Sequence, residues 1–338
     1  MQQAKFYKKL DNNEVECFLC SHNCIIKNGR RGVCKARENK NGTLYSLVYG
    51  KIAAANIDPI EKKPLFHFLP GSVSFSIATS GCNFQCSFCQ NMDISQINHS
   101  KQNSGGQGKQ TNPEEIVNLA LKYKCSSISY TYTEPTVYFE FASDIAAMAQ
   151  EKGVKNIFVT NGYMSKSCLE ALIPWLDGVN IDLKSFNPLF YKKICKADIE
   201  PVKNSLKFMK KNGIILEVTT LLIPTINDSE QEIKSIAHFI AKNLGKDTPW
   251  HINRFYPTYN LSHIPPTSGK SLYTAKDIGE SAGLEYIYIG NFPGNNSENT
   301  VCPACKKTLI QRQGSNIIKN LIKTGKCPYC EKKIYGLF

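Results

Sequence analysis

Thr79-Ser80-Gly81-Cys82-Asn83-Phe84-Gln85-Cys86-Ser87-Phe88-Cys89-Gln90-Asn91 decides how the chain is read. Its cysteines stand at C-x3-C-x2-C spacing. A [4Fe–4S] cube takes one thiolate per iron. Three thiolates on one short loop therefore leave the fourth iron open to bind a small molecule through its amine and carboxylate. A zinc knuckle would want C-x2-C and a fourth ligand nearby, and no cysteine follows until Cys125. Gly81 lets the chain turn close to the cluster, and Phe84 and Phe88 keep water from it. The run Val73–Ala78 reads as a buried strand, so the loop hangs from a strand end.

Outward from that loop, strands and helices alternate. Strands are expected over Ser72–Ala78, Ser126–Thr131, Lys155–Val159, Gly178–Ile181, Gly213–Leu222 and Pro249–Phe255. Helices are expected between them, over Ala142–Glu151, Ser167–Trp175, Pro188–Ile194, Ile199–Lys211 and Glu230–Ala241. Asn112-Pro113-Glu114-Glu115 opens another: a capping side chain, Pro at the first position and acids in the first turn. The alternation implies an α/β fold with a parallel sheet. Six units fit a partial TIM barrel, (β/α)6, over residues 61–290. In such barrels chemistry sits where strands end. The polar stretches Tyr132–Thr136, Thr160–Gly162 and Asp182–Lys184, and Arg254, all fall there. Asp182 and Lys184 lie two apart on a strand end and so point the same way; they grip a ligand or form a structural ion pair.

Two further cysteine sets flank this core. Cys17, Cys20, Cys24 and Cys34 lie within residues 1–60, where little regular structure is visible. Four thiolates there suit a tetrahedral zinc, the favoured reading, or a second iron–sulfur cluster. His22 either replaces a ligand or is a neighbour. Residues 291–338 hold Cys302-Pro-Ala-Cys305 and Cys327-Pro-Tyr-Cys330, the pattern of a zinc ribbon. Cys125, Cys168 and Cys195 stand alone and are expected to be buried packing residues. A polar Gly/Ser/Gln-rich loop spans residues 93–112. Its start is expected to contact the ligand or substrate, and its centre reads as a mobile lid or a surface insertion.

The chain has 338 residues, 42% hydrophobic, with a formal charge of +13. No run of about 18 apolar residues is present, so no membrane helix is expected. The N-terminus lacks the apolar stretch of a signal peptide, which points to the cytoplasm. There, thiols stay reduced and clustered cysteines serve metals. Residues 301–338 carry eight Lys/Arg against one acid, Glu331. Such a ribbon docks an acidic protein or nucleic acid, or simply caps the barrel; charge alone does not indicate nucleic-acid binding.

Cys82, Cys86 and Cys89, with aromatic Phe88 before the last, resemble the signature of the radical SAM superfamily. Nearly the full length, from Cys17–Cys34 to the cysteine-rich tail, resembles the radical SAM enzyme of the AmmeMemoRadiSam system. That family is related to pyruvate formate-lyase activating enzymes. The resemblance implies that a reduced [4Fe–4S] cluster cleaves S-adenosylmethionine (SAM) to a 5′-deoxyadenosyl radical, which abstracts hydrogen from a substrate. It implies a donor such as ferredoxin or flavodoxin, and a protein substrate or the system's partner proteins. Glu134 takes the place of the acid in a Gly-Gly-Glu motif, with Tyr132 and Thr133 where the glycines stand, and would accept from the SAM ammonium. Asn161, Asp182 and Lys184 are placed on the SAM carboxylate and ribose, and His251 and Arg254 near the adenosyl group. An iron–sulfur or zinc scaffold, or a redox carrier without radical chemistry, is the reading from another class. The ring of polar residues at strand ends favours the enzyme.

Overall fold

The structure is a computed structural model; the residues described are 1–96, 108–294 and 296–338. Eight strands lie side by side in chain order: β1 (Ala54–Pro59), β2 (Val73–Ala78), β3 (Ser127–Tyr130), β4 (Lys155–Thr160), β5 (Gly178–Asp182), β6 (Ile215–Leu222), β7 (Trp250–Arg254) and β8 (Ile287–Gly290). From β2 to β8 every neighbour is parallel. β1 runs antiparallel to β2, with Ala54 opposite Ala78. Parallel strands covered on both faces are buried along their length, and β3 and β5 are nearly so throughout.

Four of the six longer helices among the described residues start on a capping side chain. α1 (Pro113–Lys122) begins on Asn112, whose side chain accepts from the Glu115 N–H at 2.9 Å. α2 (Phe139–Glu151) follows β3. α3 (Lys166–Leu172) and α5 (Glu230–Phe239) are capped by Ser165 and Ser229. α4 (Ile199–Lys211) lies between these, and α6 (Gly269–Ser281) begins on Ser268. Each side-chain cap satisfies an amide that the first turn leaves unpaired.

Six units were expected and seven parallel strands are present. The extra unit is α6 with β8. The sequence shows its helical stretch near Ala275–Ala282 and its apolar, strand-like run Leu284–Ile289 without counting them as a unit of the barrel, and its packing depends on Gly279. A methyl group there would stand 2.7 Å from Ile287 Cδ1 and 3.0 Å from the Trp250 ring. The antiparallel β1 comes from residues assigned to the N-terminal module, 1–60. Its sequence, Ala-Ala-Asn-Ile-Asp-Pro, is largely exposed and carries no alternation, as befits an edge strand. The helix expected over Pro188–Ile194 is short, Pro188–Phe190, and widens into a π turn, Tyr191–Cys195.

The N-terminal segment is more regular than expected. Tyr7–Lys9, Val15–Cys17 and Cys24–Ile26 form one antiparallel sheet, and Gln2–Gln3, Thr43–Ser46 and Arg37–Lys40 another. Strands of two to four residues are too short to show a period. At the other end Thr300–Val301, Thr308–Gln313 and Asn316–Asn320 form an antiparallel sheet. Its Leu309 and Ile310, with Ile334 from beyond the sheet, share one buried cluster with Phe66, Tyr286 and Tyr288. The chain end is tied to the segment before β2: the Leu69 N–H donates to Leu337 O at 2.7 Å, and the Leu337 N–H to His67 O at 2.8 Å.

Candidate active site

At the C-terminal ends of the strands lies a cleft of about 1170 Å³. Cys82, Cys86, Cys89, Phe88, Glu134, Asn161, Asp182, Lys184 and His251 all line it. The loop after β2 brings the three thiols there. The Gly81 N–H donates to Ile94 O at 2.8 Å, folding the turn Met92–Ser95 back over the loop. Ser95 Oγ stands 3.1 Å from Cys89 Sγ, and the Phe84 N–H 3.3 Å from Cys82 Sγ. Phe84 is buried between Tyr163 and Tyr191, and Phe88 packs on Phe190. Thiolates with N–H and O–H donors in an apolar wall are the donor set an iron–sulfur cluster needs, so the residues fit that group.

Cys195 was expected to be a bystander, and it is buried. Its carbonyl accepts from the Gln85 N–H at 3.0 Å, and its thiol beside Cys86 lowers the Cys86 pKa. The π turn at Tyr191–Cys195 delivers it there, a contact that no sequence period records.

Glu134 is 1% exposed and accepts hydrogen bonds on both carboxylate oxygens. One carboxylate oxygen accepts from the Thr136 N–H at 3.0 Å and Thr160 Oγ1 at 2.7 Å; the other accepts from the Asn161 N–H at 2.8 Å. Burial nevertheless raises its pKa. Glu134 thus staples the loop after β3 to the loop after β4. Asn161 extends this chain: Nδ2 donates to Asn83 Oδ1 at 2.8 Å and stands 3.9 Å from Cys82 Sγ. Both residues position the cysteine loop. Gly162, at φ +71°, completes the turn; a methyl group there would meet Ile181 Cγ2 at 2.8 Å.

Asp182 and Lys184 form an ion pair at 2.6 Å beside Phe88, with the ammonium 5.6 Å from its ring centre. Burial works against the Lys184 charge, but the Asp182 carboxylate outweighs it and holds its pKa well above the usual value. His251 is 2% exposed, stacked on Tyr288, with Nε2 2.7 Å from Glu217 Oε2. Burial opposes ionisation of Glu217, yet His251 and His67 hold its pKa below the usual carboxylate value.

Arg254 does not line the cleft. Nε donates to Thr267 O at 2.8 Å, and the guanidinium lies over Tyr256 and Phe292. Side chains alternate along a strand, so His251 and Asn253 share the cleft face and Arg254 takes the other. Asn253 does line the cleft.

The sequence reading did not foresee two walls. Glu61, Lys63 and Phe66 line the cleft from the segment before β2; Arg312, Gln313 and Ser315 line it from the C-terminal hairpin. Arg312 is buried 3.6 Å from Glu61, and its guanidinium lies 4.2 Å from the Phe66 ring centre. The start of the polar loop reaches the cleft through Ser95; its centre, 97–107, lies outside the described residues.

The C-terminal cysteines gather as one group, with Cys302, Cys305, Cys327 and Cys330 sulfurs all within 4.8 Å. Cys17, Cys20, Cys24 and Cys34 line a separate cavity. No helix among the described residues is long and apolar enough to cross a membrane.

The radical SAM superfamily model matches residues 76–240. An uncharacterized protein of Methanocaldococcus jannaschii is 48% identical over 336 residues, covering 99% of each chain. The pyruvate formate-lyase-activating enzyme of Clostridium pasteurianum is 26% identical over 196 residues, covering 54% of this chain and 78% of that one. A solved radical SAM methyltransferase from Sphaerobacter thermophilus superposes with a TM-score of 0.52 at 14% identity, covering 67% of this chain and 68% of that one, and so shares the fold. The chain belongs to the radical SAM superfamily and is an enzyme of it. That family assignment implies a [4Fe–4S] cluster, SAM and a reductant.

Proposed function

We propose that the three-cysteine loop holds an open [4Fe–4S] cluster and that the cleft seats SAM together with a second molecule, the substrate. When bound, the cluster and SAM supply a 5′-deoxyadenosyl radical, which takes a hydrogen atom from that substrate. The carrying observation is the convergence of Cys82, Cys86 and Cys89 with the Asp182–Lys184 pair on one cleft. Single small-ligand sites run to roughly 1,000 Å³, so a cleft of about 1170 Å³ has room for two occupants.

The chain's own residues divide the work. Cys82, Cys86 and Cys89 ligate the cluster. Lys184 offers a cation to the SAM carboxylate, and Asp182 an acceptor to a ribose hydroxyl or the ammonium. Glu134 and Asn161 hold the loop in place, and both line the cleft, where Glu134 Oε2 accepts from the SAM ammonium and Asn161 meets its carboxylate or ribose. Phe88 excludes water, and His251, fixed by Glu217, faces the cleft beside the adenosyl position. We read the open sheet as an incomplete barrel. The C-terminal cysteines take one zinc: sulfur pairs at 3.6 Å and 3.7 Å match the edge of about 3.8 Å for a tetrahedron with 2.3 Å bonds.

The finer identity stays with this proposal: a member of the AmmeMemoRadiSam branch, reduced by a ferredoxin or flavodoxin in the cytoplasm. The match to an activating enzyme supports a protein substrate, with glycyl-radical activation as one form of it. The test is anaerobic reconstitution, dithionite and SAM, with 5′-deoxyadenosine as the readout. Lys184→Met should retain full iron and bind SAM at least tenfold more weakly by equilibrium titration. Unchanged SAM affinity would remove Lys184 from the site.

A further inference from the structure

We propose that Cys17, Cys20, Cys24 and Cys34 hold a second, fully ligated [4Fe–4S] cluster, which takes up the reducing electron and passes it to the open cluster. This rests on the reading that Cys82, Cys86 and Cys89 hold that open cluster.

The protein carries its own standard for a one-ion site. The C-terminal sulfurs all lie within 4.8 Å of one another, as four ligands on a single zinc must. Among the described residues, no three of the N-terminal sulfurs meet that span, and neither do the sulfurs of Cys82, Cys86 and Cys89. A four-iron cube places irons and sulfides between its thiolates, holding them further apart than one ion does. The N-terminal set therefore differs from the zinc set, as the open-cluster set also does.

The space between those sulfurs is enclosed. Leu19, Ile26, Val33 and Val137 line it with the four cysteines. Cys17 and Cys24 face each other as partners across adjacent strands. Arg37 lines the same cavity and is 1% exposed. Its terminal nitrogens bond Glu140 and Lys5 O, but Nε has no partner. A buried donor left unpaired costs roughly 1–3 kcal/mol. Cluster sulfur would satisfy it, and hydrogen bonds to sulfur help to set a cluster's potential.

The position explains the role. Between Cys20 and Cys24, His22 Nε2 lies 2.7 Å from Asn83 O, the residue after Cys82. The Tyr163 ring sits between His22 and Phe84, at 4.8 Å and 5.2 Å. Cys20 itself pairs with Met164, beside that ring. One side-chain hydrogen bond thus joins the two cysteine loops. Zinc has no redox chemistry, whereas an iron–sulfur cluster in that place carries electrons. In each transfer a low-potential one-electron donor loses one electron and the N-terminal cluster gains it. That cluster is then reoxidised as the open cluster is reduced, and no bond or proton moves.

The experiment is anaerobic iron and zinc analysis with low-temperature EPR on the full chain and on the Cys82→Ala/Cys86→Ala/Cys89→Ala variant. The variant should retain about four irons and one zinc. After dithionite it should show a [4Fe–4S]⁺ signal that SAM does not alter. About two zincs and no iron in the variant would overturn the proposal. Should the variant not fold, the reconstituted full chain decides: about eight irons and one zinc support it, and about four irons and two zincs overturn it. In the reduced full chain, mutual broadening of the two signals is expected from their closeness. Two additive, unperturbed signals would refute the relay. An open cluster that is absent or blind to SAM would instead remove the reading of the three-cysteine loop, and the variant's own signal keeps the two failures apart.

Discussion

Tyr132 adopts φ +62°, a conformation that favours glycine, where the resembled motif has one. Its hydroxyl donates to Asp58 and accepts from Asn56 Nδ2 at 3.1 Å, and the Lys63 ammonium lies 4.5 Å from its ring centre. The turn is thus kept by anchoring the side chain. Tyr132→Ala loses the anchors and retains the backbone penalty, while Tyr132→Gly loses the anchors alone. Urea unfolding should find the alanine variant less stable than the glycine variant by about 1 kcal/mol. Equal stabilities would mean that the backbone there is unstrained.

His67 makes a second residue-scale prediction. It is buried, with Nδ1 2.6 Å from Tyr335 O and Nε2 2.6 Å from Tyr288 Oη. Burial pushes its pKa down to about 4. The folded protein therefore keeps it neutral where the unfolded chain, titrating near 6.5, takes a proton. The stability that this withholds is intact above pH 6.5 and lost as pH falls toward 4, up to roughly 3 kcal/mol. His67→Gln should flatten the dependence of the unfolding midpoint between those limits; an unchanged slope would rule out His67 as its source. At this scale the grouping of the cysteines was legible because their spacing is local. The work of Glu134 was not, since its partner Thr160 lies 26 residues away.

At the scale of elements, the strand-end motifs were legible because alternation, caps and turn residues all announce where a parallel strand stops. β1 was hidden because an exposed edge strand needs no apolar pattern. The C-terminal hairpin was hidden as a cleft wall because its docking rests on single long-range contacts. Chief among them is the buried Arg312, which donates to Phe66 O at 2.9 Å and pairs with Glu61. Removing one partner of a buried pair leaves the other charge uncompensated, at about 3–5 kcal/mol. Arg312→Met should lower stability by that amount in urea unfolding, and Arg312→Met with Glu61→Gln should recover part of it. No recovery in the double variant would mean that packing on Phe66, rather than charge pairing, holds the hairpin.

At the scale of the whole molecule, three cysteine sets accompany one sheet, and one of them lines the cleft. The N-terminal set docks on the cluster loop through His22, and the C-terminal sheet walls the cleft with its hairpin. Long-range position was not legible in a sequence whose cysteine sets lie up to 313 residues apart, although their partition into four, three and four was. Cys327→Ser should remove about one zinc and leave the iron count unchanged by metal analysis; a fall in iron would mean that the sites do not load independently.

The most direct measurement is 5′-deoxyadenosine production from SAM under dithionite, in the reconstituted full chain and in Cys86→Ala. Nucleoside from the full chain, none above background from Cys86→Ala, and an unchanged zinc content in that variant are the expected result. A full chain that binds SAM at a reducible cluster yet forms no nucleoside, or a Cys86→Ala chain that still forms it, would contradict the account.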